Sequence, residues 1–164
     1  MRALACAFAL AVSTSALALE AGAPLPDLSA ARLGEPASQV SLKALQGQVV
    51  YVDFWASWCV PCRLSMPALD SLYREHRGRG FTVVGVNKDV PGDDAARFLK
   101  RVPVTFPLVE DAGDTAARAF DVKAMPSGYL VDRRGVVRKV HRGFTTETAA
   151  ELAKEIEMLL KEPS

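Results

Sequence analysis

The 164-residue sequence predicts an α/β fold with a mixed central sheet flanked by helices. Two groups of segments carry that reading. An apolar, β-branched run from Gln48 to Ala56 is followed by a stretch of helical period to about His76, then by a second apolar run from Phe81 to Val86. That order is a βαβ unit, whose two strands pair in parallel across the intervening helix. Later, Ser127–Asp132 and Val136–His141 are separated only by Arg133-Arg134-Gly135, which is the pattern of an antiparallel hairpin. Joining the two gives a mixed sheet with helices on both faces.

The elements follow in order. Met1-Arg2 precedes an uncharged run from Ala3 to Leu19 that contains Ala16-Leu17-Ala18, a small-x-small cleavage pattern. Residues 1–18 therefore read as a cleaved secretory signal peptide rather than a membrane anchor, since the run is rich in Ala, Ser and Thr. Residues 19–41, with Pro24, Pro26, Gly34 and Pro36, read as an extended lead-in with a small hairpin around Leu33–Pro36, and residues 42–164 as the main domain. A short helical turn is expected at Ser41–Leu45. Residues 48–56 are a buried central strand. The next helix starts at Pro61, with Leu64, Leu69, Leu72 and Tyr73 at helical spacing and Pro67 expected to kink it. Gly78 and Gly80 end it. Asp93 or Asp94 caps an inserted helix to Lys100, with Phe98 and Leu99 inward. A brief strand at Phe106–Val109 and a helix at Asp114–Phe120 precede the hairpin. Thr146 is read as the cap of a final helix to about Lys161, burying Leu152, Ile156, Leu159 and Leu160.

Composition excludes more than it assigns. Twenty basic and nineteen acidic residues are interspersed, for a net charge of +1, so there is no basic stripe for nucleic acid and no acidic tail. Cys6 falls inside the leader, leaving a mature chain whose only cysteines are Cys59 and Cys62. A structural staple gains most by closing a long loop, and this pair closes almost none.

Cys59 and Cys62 lie where the central strand gives way to a helix. Unpaired N–H groups and the helix dipole there favour a thiolate, the species that attacks disulfides. Cys59, at an accessible strand end, is the candidate nucleophile, and Cys62, one turn on and more buried, the candidate resolving thiol. Asp53 interrupts the apolar strand; burial would raise its pKa and make it a proton acceptor near neutral pH. His76 and His141 read as surface residues.

The segment Trp55-Ala-Ser-Trp58-Cys59-Val60-Pro61-Cys62-Arg63, with Pro67, Ala124-Met125-Pro126, Val84–Asp89 and Tyr129–Gly135, resembles the thioredoxin superfamily, in particular its exported TlpA-type members. The resemblance spans about Leu42 to Leu160 and implies a thioredoxin fold with an N-terminal extension and an inserted helix. It implies that Val60 and Pro61 help set which redox form is favoured. It also implies that Pro126 is cis and faces the disulfide, that Met125 and Pro126 form a platform for an incoming strand, and that Trp58 lines the substrate face. Asp53 matches the buried acid that helps deprotonate the resolving thiol. Two positions depart from the pattern. Gly85 stands where thioredoxins usually place a lysine beside that acid, and Ser65 where many TlpA-type chains carry a glutamate.

The expected activity is thiol–disulfide exchange that reduces disulfides of periplasmic client proteins, with a separate thiol protein as electron donor. The expectation is a soluble monomer with no cofactor, no metal and no nucleic-acid partner. Alternatives from the same pair are a disulfide oxidant or isomerase, and a Cu(I) metallochaperone using both thiolates with Met66 or Met125. Copper-delivering relatives usually space their cysteines by three residues. A peroxide-reducing relative would need a threonine shortly before its cysteine, which Ala56-Ser57-Trp58 does not supply.

Overall fold

The computed structural model describes residues 19–90 and 94–163; the expected leader, with Cys6, and Asp93 lie outside them. Seven strands form one sheet: β1 (Ser29–Arg32), β2 (Glu35–Ser41), β3 (Val49–Trp55), β4 (Phe81–Asn87), β5 (Leu108–Glu110), β6 (Ser127–Val131) and β7 (Val137–Arg142). Their order across the sheet is β2-β1-β5-β4-β3-β6-β7. The β3–β4 and β4–β5 pairs are parallel, and β3–β6 and β6–β7 antiparallel. This is the mixed sheet expected. The N-terminal hairpin, β1 with β2, joins its edge through Arg32 opposite Val109 of β5.

Among the described residues four α-helices cover the sheet: α1 (Cys62–His76), α2 (Ala95–Arg101), α3 (Thr115–Ala119) and α4 (Thr146–Lys161). The strand period of two divides β3 between two cores. Val49, Tyr51 and Trp55 face a cluster with Met66 and Leu69 of α1 and with Leu152 and Ile156 of α4. Val50, Val52 and Phe54 face the other side, where the Phe120 and Tyr129 rings meet Phe54 tilted and edge-on and Leu28 of the lead-in and Leu42 complete the cover. Both faces of β3 and β4 are wholly buried, as parallel strands with helices on each side require. None of the described helices is long and apolar enough to cross a membrane.

Local chemistry explains where elements start and stop. Helix α2 is capped by Asp94, which accepts the Arg97 N–H at 2.7 Å. Helix α4 is capped one residue earlier than expected, by Thr145, whose extended backbone lets its hydroxyl accept the Thr148 N–H at 3.2 Å. The carboxylate holding the start of α3 is Asp111, which accepts from Ala116 and Ala117 at 2.7 and 2.9 Å. Leu64 is exposed, because α1 turns it away from the sheet, whereas Met66 is fully buried. Leu160 is only partly buried. Pro67 lies inside α1, which runs through it from Cys62 to His76.

The two histidines are not on the surface. His76 is 2% and His141 7% exposed. For His141 an extra residue in β7 sets the face: Val131 pairs with Val137 but Leu130 with Lys139, so the alternation slips at Arg138. Val137 and Val140 then face the α3 side while His141, paired with Gly128, faces α1 and α4.

Candidate active site

Strand β3 ends at Trp55, and the chain turns through Ala56–Pro61 into α1. Successive bonds from Cys59 N–H to Ala56 O (3.1 Å), Cys62 N–H to Cys59 O (3.2 Å) and Arg63 N–H to Val60 O (3.2 Å) wind this turn into the helix. Cys62 is the first helical residue and Cys59 lies in the turn before it. The two are joined by a disulfide, with Cα atoms 5.4 Å apart. In this oxidised state Cys62 is fully buried, and Cys59 is only 3% exposed rather than open to solvent. Both sulfurs belong to the core cluster that includes Met66 and Leu69, with Met125 packed against it.

Beside the disulfide, next to the exposed Arg63, stand exposed apolar side chains. Trp58 and Val60 are 58% and 68% exposed, and Leu64 is exposed on the helix beyond them. The loop after β4 is tied to the same turn: Ser57 N–H donates to Asp89 at 2.7 Å, and Lys88 N–H to Trp55 O at 2.8 Å. The Met125–Pro126 peptide is cis. Because Phe54 pairs with Ser127, Pro126 stands at the end of the sheet from which the Cys59–Cys62 turn leaves. Pro126 is buried, and its carbonyl accepts the Gly143 N–H at 2.8 Å. Ser65 is buried in the first turn of α1, its hydroxyl donating to Cys62 O at 3.4 Å.

Asp53 lies on the α1 face of β3, two residues before Trp55, and is 1% exposed. Among the described residues neither carboxylate oxygen receives a hydrogen bond. Burial alone pushes its pKa well above the ordinary carboxylate value. Its cross-strand neighbours are both glycine: Gly85 of β4 and Gly128 of β6. A Cβ on Gly85 would stand 2.6 Å from Leu108, 3.0 Å from Phe106 and 3.2 Å from Trp55 Nε1. The space a lysine would use is thus filled by apolar side chains, and Asp53 has no cationic neighbour across that pair. On Gly128 a Cβ would lie 1.9 Å from the Tyr51 hydroxyl. Sequence reasoning missed Tyr51 as part of this site; its place on the same strand face as Asp53 was the available signal.

The raised pKa has a stability consequence with a definite sign. Unfolded, the carboxyl ionises at about 4. Above that pH the folded chain keeps a proton that the unfolded chain releases, so stability falls as pH rises toward the folded value and then levels off. Asp53→Asn, neutral throughout, is expected to melt at a higher temperature than the parent at pH 8. The margin should vanish near pH 3, where thermal melts of both proteins should coincide.

Among the described residues no three His, Cys, Asp or Glu side chains are grouped to hold a metal. Comparison with known proteins agrees with the geometry. The family model described as Redoxin matches residues 20–156. A thiol-disulfide oxidoreductase ResA of Halalkalibacterium halodurans is 32% identical over 140 residues, covering 79% of this chain and 80% of that protein. Another from Geobacillus thermodenitrificans is 31% identical over 134 residues, covering 82% and 76%. A crystal structure from Chlorobium tepidum, of a protein assigned as a thiol:disulfide interchange protein DsbE, superposes with a TM-score of 0.81 at 37% identity, covering 87% of this chain and 99% of that one.

Proposed function

The chain belongs to the Redoxin family and is a thiol-disulfide oxidoreductase of thioredoxin fold, and on that premise we propose that it reduces disulfides of exported client proteins. Cys59 attacks as the thiolate, breaking the client disulfide and forming a mixed disulfide while one client thiolate leaves. Cys62 then loses its proton to Asp53 and attacks the Cys59 sulfur, closing the intramolecular disulfide and releasing the second client thiolate. Two electrons pass from the pair to the client, and a separate thiol protein returns them. The observation that carries this reading is the Cys59–Cys62 disulfide at the start of α1, set within an exposed apolar collar.

Trp58, Val60 and Pro61 on one side and Met125 with Pro126 on the other are the proposed substrate-binding residues. Large apolar side chains held in water are unfavourable unless a partner covers them, which supports a protein client over a small polar thiol. The leader expected over residues 1–18 supports a periplasmic location.

Direction of flow is set by the reduction potential. Reducing and oxidising members of this fold differ by about 150 mV, roughly 7 kcal/mol for two electrons. Equilibration of the pair with defined glutathione ratios, read by mass shift on alkylation, is expected to place it toward the thioredoxin end of that span. A value beside the strong oxidants would contradict a reductase.

A further inference from the structure

The register of the sheet lines up groups that the exchange chemistry alone does not use. Asp53 of β3 pairs with Gly128 of β6, and Gly128 pairs with His141 of β7. The three form one row on the α1–α4 face. Tyr51, one pleat below Asp53, leans across the row, its hydroxyl in the place a Cβ of Gly128 would take. That hydroxyl meets Nδ1 of His141 at 3.4 Å. On its far side His141 Nε2 stands 3.3 Å from Glu155 Oε2 of α4, both atoms buried and neither hydrogen-bonded among the described residues. Glu155 Oε1 is 3.4 Å from Lys139 Nζ at the surface. Side-chain exposure rises outward, from buried Asp53 and Tyr51 through His141 at 7% to Glu155 at 17%.

Cross-strand Cβ atoms on one face lie about 5 Å apart. The Tyr51 hydroxyl lies 1.9 Å from the Gly128 Cβ position and feels the Asp53 carboxyl, which is among the causes that raise the Tyr51 pKa; the path requires Asp53 to turn about its Cα–Cβ bond to meet it.

We propose that Tyr51, His141 and Glu155 form the proton path between Asp53 and solvent. The proposal rests on the reading of Asp53 as proton acceptor for Cys62. Burial favours the protonated form of Asp53, and that proton must leave before the carboxyl can take one from sulfur. Asp53 passes its proton to the Tyr51 oxygen, Tyr51 passes its own to His141 Nδ1, and His141 gives up the Nε2 proton to Glu155, which releases it to water. The freed Asp53 carboxylate takes the Cys62 proton, and the Cys62 thiolate closes the disulfide. When the donor reduces the pair, Cys62 leaves as thiolate and recovers that proton from Asp53. One proton then enters through Glu155, and the tautomer of His141 is restored. Each oxidation exports one proton and each reduction imports one.

The groups around His141 suit a conductor rather than a fixed charge. Tyr51 faces it from β3, Lys139 from its own strand, and Glu151 and Glu155 from α4. Burial lowers its pKa, opposed by Glu155, which favours the neutral ring; the path uses the tautomer whose Nδ1 accepts from Tyr51.

The test mixes the reduced full chain with dithiobis(nitrobenzoate). The first coloured thiolate released reports attack by Cys59; the second reports closure by Cys62. Tyr51→Phe and His141→Gln are expected to leave the first release unchanged and to slow the second about tenfold at pH 7. The gap should close as pH rises past the Asp53 pKa, where the carboxylate forms without the path. Asp53→Asn should slow the second release at pH 7 as well. If Asp53→Asn slows it but Tyr51→Phe does not, the path is wrong and the role of Asp53 stands. If Asp53→Asn has no effect, both fail. Slowing equal at every pH, with a shifted potential, would mark a structural role and overturn the proposal. Should His141→Gln not fold, Tyr51→Phe, which keeps the ring over Gly128, decides alone.

Discussion

Cys59→Ser is expected to abolish client reduction, lowering turnover by roughly a thousandfold or more, because a serine hydroxyl is not an attacking species for disulfides at neutral pH. Cys62→Ser should behave differently. It keeps the nucleophile and removes the thiol that closes the ring, so a mixed disulfide between Cys59 and the client accumulates. The expected readout is a covalent adduct by mass, dispersed by added dithiothreitol, in the Cys62→Ser protein and absent from Cys59→Ser. The two variants separate the roles because Cys59 lies in the turn before α1, whereas Cys62 is fully buried as its first helical residue. Adduct formation by Cys59→Ser instead would exchange the assignments.

Gly128→Ala is expected to be the most destabilising single methyl in the sheet. The added carbon would stand 1.9 Å from the Tyr51 hydroxyl, 2.2 Å from Cζ and 2.8 Å from Cε1, far inside any real contact. Tyr51 is itself 1% exposed and cannot swing out to water. Overpacking of this kind costs about 3 kcal/mol or more, a fall of roughly 10 °C in Tm for a domain of this size. Gly78→Ala is the control. Nothing lies within 4 Å of a Cβ there, and its melt should match the parent within about 0.5 kcal/mol. The clash also bears on chemistry, since displacing Tyr51 opens the floor beside Asp53. Closure of the disulfide by Cys62 should change along with stability in any Gly128→Ala protein that folds.

Much of this was legible in the sequence. Strands β3 and β4 announce themselves because both faces are buried, so β-branched and aromatic residues run without a break. The cysteine pair is legible because its position between strand and helix follows from those neighbouring patterns. Asp53 stands out as the one charge in the strand, and its burial follows. What was hidden depends on contacts between distant segments. His141 reads as a surface residue because Arg138 is an extra residue in β7, and a one-residue slip moves every later side chain to the other face. The glycines beside Asp53 carry no local signal: neither Gly85 nor Gly128 has a positive φ, and each is required only because Leu108 or Tyr51 arrives from elsewhere. The burial of Cys59 is of the same kind. The core cluster it joins has Met125 packed against it, sixty-six positions later in the chain. The cap of α4 was misplaced by one residue because Thr145 and Thr146 are equally suitable by type, and only backbone conformation chooses between them.

The account requires the reduced pair to be unequal, with one ionised and reachable sulfur and one withheld. Iodoacetamide alkylation of the fully reduced protein across pH 4 to 10, with each site quantified by peptide mass, measures that inequality directly. Cys59 should react first, with a midpoint below the value of about 8.5 for a free thiol, and Cys62 only slowly. Two thiols reacting at the same low rate, each with the midpoint of an unstructured peptide, would contradict it.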